Sequence, residues 1–318
     1  MLEYILFVIG LVLIIKGADY LVDGSSILAT RLGISQLVIG LTIVAFGTSA
    51  PELVVALISI FEGTSEIVLG NIIGSNISNL LLILGAAAVI YPLKIRYSTI
   101  WKEIPFSLLA ALLLLALVNN EASGQYLTFY DGIALLFIFA IFIYYTFMKS
   151  KEDTKKKKKE EIMEIKKENF YKSIGMIAAG LIGLFVGGKW VVDGAVAIAI
   201  QFGVSEFLIS ATIIAIGTSL PELAVAVSAS LKRKADIAIG NIVGSNIFNI
   251  LLVLGTASLI SPVSVPIFVN TDIIFLIYMS VLLFVFVYTN KNKELNRWHG
   301  LIFLLFYIGY LYFLIGRG

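Results

Sequence analysis

The chain has no cysteine and a single histidine, His299, in 318 residues. A disulfide scaffold, thiolate chemistry, haem attachment and Cys/His zinc centres are therefore excluded. Charge is scarce as well. Asp, Glu, Lys and Arg make up 14% of the residues, against about 25% in soluble domains, while 59% are hydrophobic, against about 45–50%. That balance describes an integral membrane protein. There is no HExxH, no GxSxG and no aspartate pair in matching motifs, which speaks against an intramembrane hydrolase working with two buried carboxylates. The first apolar run, MLEYILFVIG, contains Glu3 and lacks a basic lead-in, so it reads as a retained helix rather than a cleaved signal.

What is abundant is apolar sequence in blocks of about 20 residues, the length that crosses a bilayer. Such blocks fall near 2–22, 37–61, 66–90, 104–119, 127–147, 174–200, 207–231, 236–260, 271–289 and 299–316. The fold class expected is all-α and polytopic, with ten transmembrane helices. A charged insert, 148–172, holds Lys155 to Lys159 and is expected to be a solvated cytoplasmic linker between a first repeat, 1–147, and a second, 173–318. With that insert inside, Arg31, Lys94, Arg96, Lys102, Lys232, Arg233, Lys234, Lys291, Lys293 and Arg297 all fall in cytoplasmic connections. Glu62, Glu121, Glu206 and Asp272 then lie outside, with Arg317 as the basic exception, and both termini face outward. The localisation expected is multi-pass in the cytoplasmic membrane.

Laying the second half of the chain over the first aligns Gly47-Thr48-Ser49-Ala50-Pro51-Glu52 with Gly217-Thr218-Ser219-Leu220-Pro221-Glu222, and GNIIGSNISNLLLILG from Gly70 with GNIVGSNIFNILLVLG from Gly240. The match needs no gap. The halves are copies, and five spans per copy force the second into the opposite orientation. Such inverted repeats are typical of secondary transporters, whose ion sites lie at the midplane between the halves.

Each motif carries a carboxylate at a depth where an isolated charge costs roughly 2.5–3.5 kcal/mol or more, so each is expected to face a partner or a watery cavity. Ala45, Thr48, Ser49 and Glu52 share one side of a helix, and Pro51 is expected to kink or break that helix and free the Gly47 carbonyl. Pro221 is expected to do the same to Gly217. Ser75 and Asn79, four residues apart on the next helix, recur as Ser245 and Asn249, while Gly70, Gly74, Gly240 and Gly244 allow helices to approach closely. The constellation is oxygen-only: Glu52, Glu222, the hydroxyls of Thr48, Ser49, Thr218 and Ser219, Ser75, Ser245, Asn79 and Asn249. Oxygen ligands suit hard cations such as Ca²⁺ and Na⁺. A formal charge of minus two is matched by one Ca²⁺, two Na⁺ or two protons.

The paired GTSAPEL/GTSLPEL and GNIIGSNISN/GNIVGSNIFN motifs resemble the two alpha repeats of the calcium:cation antiporter superfamily, specifically its sodium/calcium exchanger branch. The resemblance implies cation ligation by the ten residues just named, joined by backbone oxygens of Ala45 and Ala215. It also implies that the first and sixth helices slide against the rest. Asn249 stands where some relatives carry aspartate, which favours a potassium-independent reading. The function expected is Ca²⁺/Na⁺ antiport by alternating access, with Ca²⁺/H⁺ antiport through the same glutamates as the alternative and an ion channel as a further rival. Ca²⁺ and Na⁺ are expected as cargo, with no cofactor and no nucleic-acid partner, and a monomer is compatible with both half-sites lying on one chain.

Other polar residues have plainer readings. Asn76 and Asn246 read as interhelical hydrogen-bond partners or as ligands, with the former favoured. Asp23 and Asp193 are expected to end or cap helix segments, and Lys16 and Lys189 to snorkel or pair with Asp19 and Asp193. His299 and the tryptophans are expected near the interfaces.

Overall fold

The chain is described from a computed structural model covering residues 2–120, 124–156, 170–201 and 215–317. Residues 157–169 of the expected linker, Glu121, Glu206 and the start of the seventh expected span lie outside the described residues. The helices are α1 (Leu2–Leu32), α2 (Gln36–Thr48), α3 (Ala50–Phe61), α4 (Glu66–Ile90), α5 (Tyr97–Val118), α6 (Phe129–Lys156), α7 (Phe170–Gln201), α8 (Ala215–Thr218), α9 (Leu220–Leu231), α10 (Ala235–Ile260), α11 (Val269–Thr289) and α12 (Arg297–Arg317). Eight of them are long and apolar enough to cross a membrane singly, and α2 with α3 forms a ninth, broken span. Helices α8 and α9 occupy the tenth place.

The apolar stretches of α4 and α10 are 78% and 94% buried, whereas those of α1, α7 and α12 are between 22% and 33% buried. The two helices that carry the GNIxGSN motifs are therefore the centre, and the rest wrap them. Gly240 explains part of this closeness: a Cβ there would sit 2.7 Å from the Leu37 carbonyl oxygen, and one on Gly244 would sit 2.7 Å from the Ala45 Cβ. Phe207, the counterpart of Leu37 in the second repeat, lies outside the described residues.

Two short ladders tie distant connections together. Strand β1 (Leu93–Lys94) pairs antiparallel with β4 (Glu294–Leu295), and β2 (Tyr126–Leu127) with β3 (Val263–Ser264). They repeat the internal symmetry, since β1 and β3 occupy equivalent positions in the two copies, each directly after an aligned proline, Pro92 or Pro262.

Helix α1 runs ten residues beyond its expected end at residue 22 and continues through Asp23. Asp193 likewise sits inside α7. The expectation that these aspartates end helices is thus corrected, and for Asp23 the cause is tertiary. Lys232 lies 3.0 Å from Asp19 and 2.8 Å from Asp23, Lys234 lies 2.8 Å from Asp23, and Ser228 Oγ donates to Asp19 Oδ1 at 2.7 Å. With its carboxylate satisfied from the side, Asp23 has no need of a free helix end. Burial alone would lower the Lys232 ammonium, but hydrogen bonds to Asp23 and Asp19 outweigh it and hold the group above the ordinary lysine range. Asp19 therefore takes Lys232 rather than Lys16. Lys189 does pair with Asp193, at 2.9 Å, as the four-residue spacing predicts.

Candidate cation site

The proline motifs produce a clean break rather than a kink. Helix α2 stops at Thr48, Ser49 takes φ −84° and ψ 4°, and α3 departs at 40°. Pro51 occupies the first turn of α3, where its missing N–H leaves no bond unmade. Ser219 repeats this with φ −87° and ψ 1° ahead of Pro221. Gly47 and Gly217 lie just before the breaks, and a Cβ on either would come within 2.4 Å of a side chain of α7, Leu181 or Val192. Each break thus places a carboxylate in the first turn of a new helix, beside α4 or α10.

Glu52 and Glu222 are each 1% exposed. Their inner oxygens are held alike. Ser75 Oγ donates to Glu52 Oε1 at 3.3 Å, and Ser245 Oγ donates to Glu222 Oε1 at 3.4 Å. The halves then interlock: Ser49 Oγ donates to Glu222 Oε1 at 3.4 Å, Thr48 Oγ1 lies 3.3 Å from Ser245 Oγ, and Thr48 Oγ1 donates to Asn241 Oδ1 at 2.9 Å. Thr48 and Ser49 of the first copy thus join Asn241, Ser245 and Glu222 of the second in one hydrogen-bonded chain.

A second network fixes the amides. Asn79 Nδ2 donates to Asn246 Oδ1 at 2.9 Å and Asn249 Nδ2 to Asn76 Oδ1 at 3.0 Å. Asn76 Nδ2 donates to the Asn246 carbonyl at 3.1 Å, and Asn246 Nδ2 to the Asn76 carbonyl at 3.4 Å. Asn76 and Asn246 therefore bond α4 to α10. Their grip also orients Asn79 and Asn249, whose nitrogens are turned to the partner helix while their oxygens are left over.

Those leftovers define the chemistry. Glu52 Oε2, Glu222 Oε2, Asn79 Oδ1, Asn249 Oδ1 and Ser219 Oγ are buried without a hydrogen-bond partner among the described residues. A buried unsatisfied polar group costs about 1–3 kcal/mol, and more when charged. The amide and ionised carboxylate oxygens among them accept, and a shared cation would satisfy them together. Among the described residues no three His, Cys, Asp or Glu side chains converge, so an ion here would have two carboxylates and neutral oxygens to draw on. That donor set suits a hard, labile cation.

Other predicted site residues stand differently. The Ala45 carbonyl accepts the Ser49 N–H at 2.9 Å and Thr48 Oγ1 at 3.4 Å, so it is partnered. The residue four after Gly47 is Pro51, which has no N–H to give the Gly47 carbonyl. Thr218 approaches Glu52 as Thr48 approaches Glu222. Ala215 opens α8, at the edge of the described residues.

Sequence reading passed over Asn71 and Asn241. Asn241 is fully buried and accepts from Thr48, and the Nδ2 atoms of both asparagines are buried without partners. The signal was present, because Asn71, Ser75 and Asn79 follow one another at four-residue spacing on one helix face. Also unforeseen are π-helical turns over Asn79–Ile83 and Phe248–Val253, which hold the two ligand-type asparagines. Single π turns within α-helices occur often at functional sites.

A cavity of about 220 Å³ lies between α7 and both breaks, lined by the apolar Leu184, Phe185 and Val192 together with Pro51, Pro221, Thr218, Lys189 and Asp193. The Lys189–Asp193 pair in that lining is exposed.

The asparagine network makes a stability prediction. Asn246→Ala removes the acceptor of Asn79 Nδ2 and is expected to cost about 1–3 kcal/mol, read as a lower melting temperature in detergent. Asn292→Ala, on the exposed turn, is expected to leave it unchanged. Equal melting of the two variants would refute the bonding role.

Three comparisons bear on this geometry. A family model described as sodium/calcium exchanger protein matches residues 2–148 and 172–316. CaxA of Alkalimonas amylolytica is 38% identical over 313 residues, 98% of either chain, and the sodium/calcium exchanger MaX1 of Methanosarcina acetivorans is 33% identical over 345 residues, 97% of either chain. The solved structure of the sodium-calcium exchanger NCX_Mj soaked with zero Na⁺ and Ca²⁺ matches with a TM-score of 0.83 at 32% identity, covering 98% of this chain and 99% of that one.

Proposed function

Because the chain belongs to the sodium/calcium exchanger family, we propose that it exports Ca²⁺ in exchange for Na⁺ through one site opened alternately to each side of the cytoplasmic membrane. The observation that carries this reading is the set of buried acceptors without partners: Glu52 Oε2, Glu222 Oε2, Asn79 Oδ1 and Asn249 Oδ1. Two charges and several neutral oxygens match one Ca²⁺ as well as a pair of Na⁺. Either load cancels the carboxylate charge, and the empty site leaves it exposed to low dielectric. The two cargoes therefore exchange more readily than the site empties. No bond is made or broken in the cargo, and the work is done by binding and release.

The ligands in this reading are Glu52, Glu222, Thr48, Thr218, Ser49, Ser219, Ser75, Ser245, Asn79 and Asn249. Ala45 and Ala215 contribute through backbone oxygen, Ala45 through an already bonded carbonyl. Access is uneven. The cavity beside Lys189 and Asp193 lies on the side of the breaks nearer the face we assign to the outside, while at the other end α1 is tied to the α9–α10 turn by Asp19, Asp23 and Lys232. In this reading the carrier is closed toward the cytoplasm.

Ca²⁺ uptake into proteoliposomes under an outward Na⁺ gradient tests the reading, with a pH gradient alone as comparison. Uptake is expected to follow Na⁺, and uptake indifferent to Na⁺ would favour proton exchange instead. Asn249→Asp gives a second check. Asn249 Nδ2 donates to Asn76 Oδ1, and an aspartate can replace that donor only when protonated. Exchange by the variant is expected to fall with rising pH more steeply than in the wild type. Superimposable pH profiles would show that this bond does not matter for transport.

A further inference from the structure

The internal repeat makes it possible to ask which surface features the architecture does not require, because each place in one half has a counterpart in the other. A cavity of about 300 Å³, within the size range of small-ligand sites, lies where the α1–α2, α4–α5 and α9–α10 connections meet. Its polar lining is Gln36, Lys94, Arg96, Arg233, Lys234 and Asp236. Four cations therefore surround one hollow with a single carboxylate among them. Arg96 is bound by Asp236 through both Nε and Nη2, and Lys234 by Asp23. Lys94 and Arg233 have no carboxylate partner among the described residues. Glu294, opposite Lys94 in the β1–β4 ladder, engages Asn292 instead. The Arg233 guanidinium rests over the Tyr91 ring at 5.5 Å.

The backbone at Arg233 gives an independent sign. Its φ is +57°, in the left-handed region that L residues enter only at a cost. The corresponding residue of the first repeat is Gly63, with φ +76°. The turn thus works with glycine, and the second copy places an arginine there against backbone preference. An outlier kept in this way points to a use for the side chain. The other cations show the same asymmetry: the counterparts of Lys94, Arg96 and Lys234 are Ser264, Pro266 and Thr64. A general excess of basic residues on the cytoplasmic side accounts for their sign. It does not account for their meeting around one cavity, or for the strained turn.

We propose that this cavity binds the phosphate of an anionic phospholipid headgroup, held by Lys94 and Arg233 between the two neutralised cations. Basic pockets between transmembrane helices on the cytoplasmic side take such headgroups. The place is consequential, because Lys234 lines the cavity and also holds Asp23 of α1. The proposal depends on the chain lying in a membrane and not on which ions it exchanges.

The test compares the full chain with the double variant Lys94→Ser/Arg233→Gly, which installs the residues of the opposite repeat and relieves the strained turn. Both proteins keep the charged insert, so non-specific attraction to it cancels. Purified protein in neutral detergent is titrated with short-chain phosphatidylglycerol, short-chain phosphatidylcholine and inorganic phosphate, following the melting temperature and, by native mass spectrometry, the bound adducts. Saturable phosphatidylglycerol binding is expected to weaken about thirtyfold in the variant, about fivefold for each cation removed, with no difference for phosphatidylcholine. An equal thirtyfold loss with inorganic phosphate would keep the phosphate site but overturn its assignment to lipid. Phosphatidylglycerol binding unchanged in a variant that melts cooperatively at or above the wild-type temperature would overturn the site itself. None of these readouts depends on Na⁺ or Ca²⁺ transport, so failure here is distinct from failure of the exchange reading.

Discussion

Glu52→Gln and Glu222→Gln are each expected to abolish Ca²⁺ transport in proteoliposomes while leaving a folded, inserted protein. Glutamine keeps the shape of the side chain and the Oε1 that accepts from Ser75 or Ser245. It replaces the orphaned Oε2 with an N–H donor that repels a cation. One charge then remains to face a divalent ion. Truncating one partner of a buried, hydrogen-bonded charge pair costs about 2–5 kcal/mol or more, which is about thirtyfold to several thousandfold in affinity. Folding is affected in the opposite direction, since the ion-free site no longer buries two like charges. A Ca²⁺-dependent rise in melting temperature, which ligand binding to the native state must produce, is expected in the wild type and absent in both variants. Retained exchange in either variant would make that glutamate structural.

Much of this site was legible in the sequence because its chemistry is local and repeated. A proline and a glutamate inside an apolar run are conspicuous once, and their recurrence in the second half of the chain identifies the paired residues and points to an inverted topology. What escaped reading depends on distant packing. Asp23 looks like a helix end because a glycine follows it. Only the fold reveals that Lys232 and Lys234 reach it from a turn in the opposite repeat. The ladders joining Leu93 to Leu295 and Leu127 to Val263 are two residues long, too short for any periodicity to register. The division of labour among the asparagines was half visible. The motif shows Asn76 and Asn79 three residues apart, but which atom of each amide is spent on the partner helix follows only from how α4 crosses α10. The spacing of Asn71 places it on the same stripe as Ser75 and Asn79.

Gly180→Val is expected to lower the melting temperature sharply and to slow exchange even at saturating ion concentrations. Helices α1 and α7 pack against each other through glycines, and added side-chain atoms would meet backbone. A Cβ on Gly180 would lie 2.7 Å from both the Gly17 carbonyl oxygen and the Leu21 nitrogen, and one on Gly17 would lie 2.8 Å from the Gly180 carbonyl oxygen. Gly10 with Gly187, and Gly24 with the Ser173 carbonyl, repeat the contact along the same seam at comparable distances. Small residues that let helix backbones approach are a main source of cohesion between membrane helices, so this pair is expected to move as one body against the broken helices that carry Glu52 and Glu222. Overpacking a close contact costs about 1–3 kcal/mol, occasionally more, and backbone atoms on both sides leave no flexible side chain to absorb it. Gly175→Ala, on the exposed face of α7 with no atom near its added Cβ, is expected to be neutral or slightly stabilising, by up to about 1 kcal/mol. The two classes of variant separate binding from movement. The glutamine variants lose the Ca²⁺-induced melting shift and keep the packing, whereas Gly180→Val loses packing and turnover while the shift persists, because none of the proposed ligands has been altered. A Gly180→Val protein as stable and as fast as the wild type would mean that α1 and α7 do not move as a unit, and the uneven closure at their two ends would then need another cause.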